Sequence, residues 1–227
     1  MRDRTNALLA AASRAPVIPV VSLDDVGFAP VLASTLVHAG LPVIEVTLRT
    51  PHALDVIRAI ARQVPDAYLV AGTITAPSQI GEAVDAGARA LVTPGTSARL
   101  AEALASAPVP ALPGCASVSE ALALMEHGFS FVKAFPASVV GGPAFLKAVH
   151  GPLPSLRFCP TGGITAANAG DYLACPNVVC VGGTWITPKD ALAARDVAAI
   201  RTLAEAAAAL PRAAGAAGAA ASGTSVG

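Results

Sequence analysis

Charge is scarce in this chain. Of its 227 residues, 13% are charged and 54% hydrophobic, against about 25% charged in an average soluble domain, so much of the chain is expected to be buried. The formal net charge is zero, with no long basic run, which argues against nucleic acid and anionic membrane surfaces as partners. Aromatics make up 4%. Four cysteines (Cys115, Cys159, Cys175, Cys180) show no CxxC spacing. Zinc ligation and a disulfide framework are therefore not expected, and the thiols read as reduced ones in a cytoplasmic protein. Four histidines are scattered, with no HExxH motif. No apolar run approaches the ~20 residues of a membrane span. The start, MRDRTNALLAAASRAP, has only a short apolar run closed by Arg14, and reads as an amphipathic helix over 6–13 rather than a secretory signal.

What the chain does have is regular alternation. Eight short β-branched or apolar runs are predicted as strands: VIPVV (17–21), VIEVTL (43–48), YLVAG (68–72), ALVT (90–93), VPAL (109–112), FVKAF (131–135), LRFC (156–159) and VVCV (178–181). Helical stretches follow them near 24–39, 52–63, 76–86, 97–106, 117–127, 142–149, 166–174 and 189–211. Asp24, Thr50-Pro51 and Ala76-Pro77 suit helix starts. Ala-Gly at 39–40 and 86–87 suits helix ends. Strand then helix, eight times, predicts an α/β fold, a (β/α)8 TIM barrel with an N-terminal capping helix, as one domain over 1–212. A doubly wound open sheet is the rival, and the chain lacks its GxGxxG fingerprint. The Ala/Gly-rich segment 213–227 is low in complexity and expected to be disordered.

One strand carries a lysine at its centre. In FVKAF, Phe131, Lys133 and Phe135 share one face while Val132 and Ala134 share the other. The small pair should face the helices and Lys133 the barrel interior. Lysine is almost never fully buried without a partner, and desolvation favours the neutral amine that attack on a ketone requires. In strand two, Glu45, Thr47 and Arg49 alternate with Val46 and Leu48, so three polar groups are expected to point inward beside Lys133. A carboxylate can serve as general acid and base, and an arginine can grip a carboxylate in a fork. A structural Glu45–Lys133 salt bridge without chemistry is the plainer alternative, but it leaves an inward Arg49 unexplained.

Strands seven and eight run into glycine pairs, CPTGGIT (159–165) and VGGTW (181–185). Loops at these two places commonly build phosphate sites in barrels, with bare backbone N–H groups as donors. Tight turns alone could also explain them. Thr161 and Thr184 could add hydroxyl donors. Together these residues suggest a phosphorylated keto acid as substrate and Schiff-base chemistry at Lys133. Spacing does not choose between carbon–carbon cleavage and proton transfer.

The stretches EVTLRT (45–50), AGT (71–73), Pro94-Gly95, FVKAFP (131–136), RFCPTGGI (157–164) and GGTW (182–185) resemble the bacterial 2-keto-3-deoxy-6-phosphogluconate aldolases, which often also cleave 4-hydroxy-2-oxoglutarate. The resemblance runs from about residue 16 to 190. It implies Lys133 as the Schiff-base lysine and Glu45 as proton shuttle. Arg49 and Thr73 would bind the pyruvyl carboxylate, Pro94 and Phe135 would pack on the substrate, and Thr161 would touch its polar body. Gly162, Gly163 and Thr184 would hold the phosphate. Thr184 stands where family members often carry serine; the hydroxyl is kept and a methyl added. The resemblance further implies a cytoplasmic homotrimer with no cofactor or metal. Rival readings are a 6-phosphogalactonate aldolase, differing in the C4 configuration, a phosphate-binding barrel isomerase, which needs no inward lysine, and a ligand-binding barrel without chemistry.

Overall fold

A computed structural model describes residues 2–213. Helix α1 (Arg2–Ala12) is followed by strand β1 (Val17–Val21) and helix α2 (Ala29–His38). Then come β2 (Val43–Thr47), α3 (Ala53–Gln63), β3 (Tyr68–Gly72), α4 (Ser78–Asp85), β4 (Ala90–Val92) and α5 (Ala98–Ser106). Two very short strands, β5 (Ala111–Leu112) and β6 (Gly114–Cys115), precede α6 (Val118–Glu126), β7 (Phe131–Ala134), α7 (Gly142–His150) and β8 (Arg157–Phe158). The chain closes with α8 (Ala169–Leu173), β9 (Val181–Gly183), α9 (Lys189–Ala193) and α10 (Val197–Ala208). No helix among the described residues is long and apolar enough to cross a membrane.

All strand pairings are parallel, and the fold is α/β. The strands do not form the single eight-stranded ladder that the repeat predicts. They form a six-stranded sheet, β5-β4-β3-β2-β1-β9, and a three-stranded one, β6-β7-β8. Proline accounts for the breaks. Pro113 has no N–H to continue the ladder, and it separates β5, within the fifth predicted strand (109–112), from β6, which lies just beyond that prediction. The seventh (156–159) keeps only Arg157–Phe158 ahead of Pro160, and the last ladder begins at Val181 rather than Val178. Across the second break, two isolated parallel bridges join Phe158 to Val178 and Thr161 to Gly182.

Alternation along the strands separates two cores. Ile18, Val43, Val70, Val92, Leu112 and Phe131 pack in one cluster, whereas Val17, Ile44, Leu69, Leu91, Val132 and Phe158 join the helices in the other. Helix α1 belongs to the first, to which Leu8, Ala11 and Ala12 contribute. Arg4 ties this helix down by donating to the carbonyls of Ala105 and Ala107. The expected capping helix is thus present, somewhat longer than 6–13.

The predicted helix starts need correction. The stretch after β1 is not helical until Ala29. Asp25 accepts from the Phe28 N–H at 3.1 Å, and Asp24 instead accepts from His52 N–H at 3.2 Å, just ahead of α3. Gly40 and Gly87 do end their helices at φ +90° and +105°. The helix expected over 189–211 is two, divided at Arg195 (φ +50°), after which Asp196 caps α10 through Ala199 N–H. Ala213 donates to the carbonyl of Leu173; the rest of the segment expected to be disordered, 214–227, lies outside the described residues.

Leu8, 2% exposed, anchors α1 in the inner cluster. Leu8→Ala should destabilise the protein by about 2–5 kcal/mol, read by urea unfolding. A loss below about 0.5 kcal/mol, the range of ordinary surface changes, would mean that α1 does not seal this core.

Candidate active site

Lys133 on β7 and Glu45 on β2 belong to different sheets, yet Nζ lies 3.3 Å from Oε1. Each residue is 3% exposed. The predicted face is the observed one: Phe131 packs in the inner cluster, Val132 and Ala134 in the outer. The Phe135 ring lies 5.3 Å from the Lys133 ammonium, within cation–π range. Two buried ions need each other, since removing one partner of such a pair typically costs about 3–5 kcal/mol.

Neighbouring glycines make room for this pair. Gly72 stands beside Thr47 in the β2–β3 register, and a Cβ on it would run into the Glu45 carboxylate. Gly114 packs directly on the carbonyls of Thr93 and Pro94. Its N–H donates to the Thr93 hydroxyl at 2.8 Å, and its carbonyl accepts from Thr96 Oγ1 at 2.9 Å. This lattice of threonines holds Pro94, half-buried, at the end of β4. Sequence reasoning missed Gly72, Gly114, Thr93 and Thr96. Gly72 lies inside a matched stretch and Gly114 outside all of them, and the steric role of both depends on how the strands pair.

Thr47 points inward as expected, and its hydroxyl donates to the carbonyl of Val21 at 3.1 Å. Arg49 does not share its face. Strand β2 ends at Thr47, the Arg49 N–H turns back to the Thr47 carbonyl at 2.8 Å, and the side chain is exposed at the mouth. There it lines a cavity of about 200 Å³ with Phe135, Thr161, Gly162, Gly163 and Thr184. Thr161 is 5% exposed and its Oγ1 has no partner among the described residues. Gly162 and Gly163 take φ +98° and +72°, where glycine is favoured, and a Cβ on Gly163 would strike the Ser138 hydroxyl. Thr73 follows β3 at φ +63°, a strained conformation for a β-branched residue. Neither Thr73 nor Pro94 lines this cavity.

The cysteines do not compete as nucleophiles. All four cysteines are buried and free. Burial pushes the Cys115 thiol up to about 12, and a hydrogen bond with Cys159, then burial, raises that of Cys180. Such thiols are inert. Among the described residues no group of three or more His, Cys, Asp or Glu could hold a metal ion.

A buried amine paired with a carboxylate on parallel strands, beside a cavity that Phe135 shares with them, suits chemistry through an imine, and the relatives of the chain make its class a carbon–carbon lyase of the Schiff-base type. The chain belongs to the KDPG and KHG aldolase family, whose sequence model matches residues 9–203. It is 45% identical over 189 residues to the KHG/KDPG aldolase of Escherichia coli K12, covering 83% of this chain and 89% of that protein. It is similar to the KDPG aldolase of Legionella pneumophila, whose structure holds pyruvate as a covalent carbinolamine, at TM-score 0.87 and 39% identity, over 92% of this chain and 100% of that one. The corresponding enzyme of Zymomonas mobilis ZM4, solved with 3-phosphoglycerate, matches at TM-score 0.85 and 40% identity, over 91% of this chain and 97% of that one.

Gly72→Ala should displace the Glu45 carboxylate and lower kcat about 100-fold, the scale of an ångström-level misplacement. Steady-state kinetics on variant whose fold is verified by near-UV circular dichroism would test this. Turnover within about threefold of wild type would show that the carboxylate position does not matter.

Proposed function

We propose that this protein cleaves 2-keto-3-deoxy-6-phosphogluconate to pyruvate and glyceraldehyde 3-phosphate, and 4-hydroxy-2-oxoglutarate to pyruvate and glyoxylate, with Lys133 as nucleophile and Glu45 as acid and base. The observation that carries this is the buried pair, 3.3 Å apart, with Phe135 both 5.3 Å from the Lys133 nitrogen and in the wall of a cavity lined by a glycine pair and an arginine. Family membership supports the substrate class.

Glu45 takes a proton from Lys133, and the freed amine attacks the C2 ketone. Glu45, within hydrogen-bond reach of Nζ, takes up and returns the protons of carbinolamine formation and dehydration. The resulting protonated imine is the electron sink, and its charge is the main stabiliser of the step that follows. Glu45 then removes the C4 hydroxyl proton, the C3–C4 bond breaks, and the aldehyde leaves. The enamine of pyruvate takes a proton at its terminal carbon, and hydrolysis frees pyruvate and the amine. Arg49 and Thr73 bind the carboxylate, Pro94 and Phe135 pack against the carbon chain, and Thr161 offers its free hydroxyl. Gly162, Gly163 and Thr184 cradle the phosphate.

The same reading takes residues 1–212 as one (β/α)8 barrel domain. On this reading β5 and β6 act as one strand across Pro113, and the isolated bridges Phe158–Val178 and Thr161–Gly182 stand in for the ladder that would join the two sheets. A cytoplasmic homotrimer is the assembly that the family resemblance implies.

Glu45→Gln should retain substrate binding and slow cleavage by about 10²–10⁴-fold, measured by coupling pyruvate release to NADH oxidation. Near-wild-type turnover would remove Glu45 from the mechanism. Thr184→Ala should raise KM for the phosphorylated substrate well above its effect on 4-hydroxy-2-oxoglutarate, which has no phosphate. Equal losses on both would place the phosphate elsewhere.

A further inference from the structure

The cavity at Arg49 and Thr184 opens into a larger one of about 710 Å³. The two share Val20, Arg49 and Thr184. The larger space lies between the segment after β1, residues 22–25, and the segment after β9 that ends in Lys189.

The larger cavity is lined by two carboxylates and two cations that differ in how they are partnered. Its two carboxylates are engaged within the protein. Asp24 accepts from the His52 N–H. Asp25 accepts from the Phe28 N–H and pairs with Arg195 at 2.6 Å, and the Arg195 guanidinium holds its carboxyl below the usual range. By contrast, Arg49 and Lys189 form no ion pair and no side-chain hydrogen bond among the described residues. Thr187, also in the wall, is 5% exposed, and its Oγ1 lacks a partner. Buried hydroxyls are nearly always hydrogen-bonded, so this one is poised for a ligand or water. Leu23 and Leu192 supply apolar surface. Free positive charge, a free hydroxyl and an apolar wall, continuous with the phosphate cradle, suit the end of a longer anionic chain.

We infer that this cavity is a distal subsite for the phosphate end of acceptor aldehydes longer than three carbons, the four- and five-carbon aldose phosphates, held by the Lys189 ammonium and the Thr187 hydroxyl. The inference rests on the aldolase reading above. In the synthetic direction the enamine carbon of Lys133-bound pyruvate forms a bond to the aldehyde carbon. The carbonyl π pair takes a proton from Glu45 and becomes a hydroxyl. Water then hydrolyses the imine, releasing the longer 4-hydroxy-2-keto acid phosphate and the free amine. Each added carbon carries the phosphate past the glycine pair toward Lys189, a point charge suited to phosphate.

The test measures kcat/KM for addition of pyruvate to D-glyceraldehyde 3-phosphate, D-erythrose 4-phosphate and D-arabinose 5-phosphate, in wild type, Lys189→Ala, Thr187→Val and Thr187→Ser. Wild type should use all three. Lys189→Ala should lose about tenfold or more on the two longer aldehydes, the scale of a lost charged hydrogen bond, and stay within about twofold on the three-carbon one. Thr187→Val should show the same selectivity, and Thr187→Ser should restore the longer substrates. Parallel losses on all three aldehydes, no loss on any, or a wild type active only on the three-carbon aldehyde would overturn the subsite. A wild type inactive on D-glyceraldehyde 3-phosphate as well would overturn the aldolase reading itself.

Discussion

The site depends on one contact, the buried pair of Lys133 and Glu45. Moving two ions out of water is expensive, and only close, well-supported pairing offsets the cost. That requirement shapes its surroundings. The two sheets must bring β2 and β7 face to face, strand alternation must aim both side chains inward, and Gly72 must leave the carboxylate its space. The inner apolar cluster, to which α1 contributes Leu8, Ala11 and Ala12, packs behind these strands.

Above the pair the character of the chain changes. The strands end, and the backbone enters conformations that regular elements avoid: Thr73, Gly162 and Gly163 all have positive φ. Strain of this kind persists only where rigid surroundings impose it. Here the surroundings are parallel strands buried on both faces and anchored at their other ends. On the proposed reading, stability and chemistry sit at opposite ends of the same strands.

Much of this was legible in the sequence because period-two alternation is a local property. A lysine between two phenylalanines on one strand face can be placed without knowing the fold, and Glu45 likewise. The glycine pairs were legible because bare backbone has few other uses after a strand. Features set by distant segments were not. Asp24 looked like the cap of the helix that follows it, but its partner is His52, reached only once β1 and β2 are side by side. Arg49 fits the inward set until the strand is seen to end at Thr47. The breaks at Pro113 and Pro160 depend on which backbone groups the neighbouring strands need. Gly72 acquires its meaning only when the pairing of β2 with β3 sets it beside Thr47 and under the Glu45 carboxylate.

The central claim is that Lys133 is the nucleophile, and borohydride reduction in the presence of pyruvate, followed by peptide mass mapping, tests it most directly. The chain has three lysines, so the assignment is unambiguous. The account predicts a reduced pyruvyl adduct on Lys133. An adduct on Lys147 or Lys189, or none at all, would contradict it.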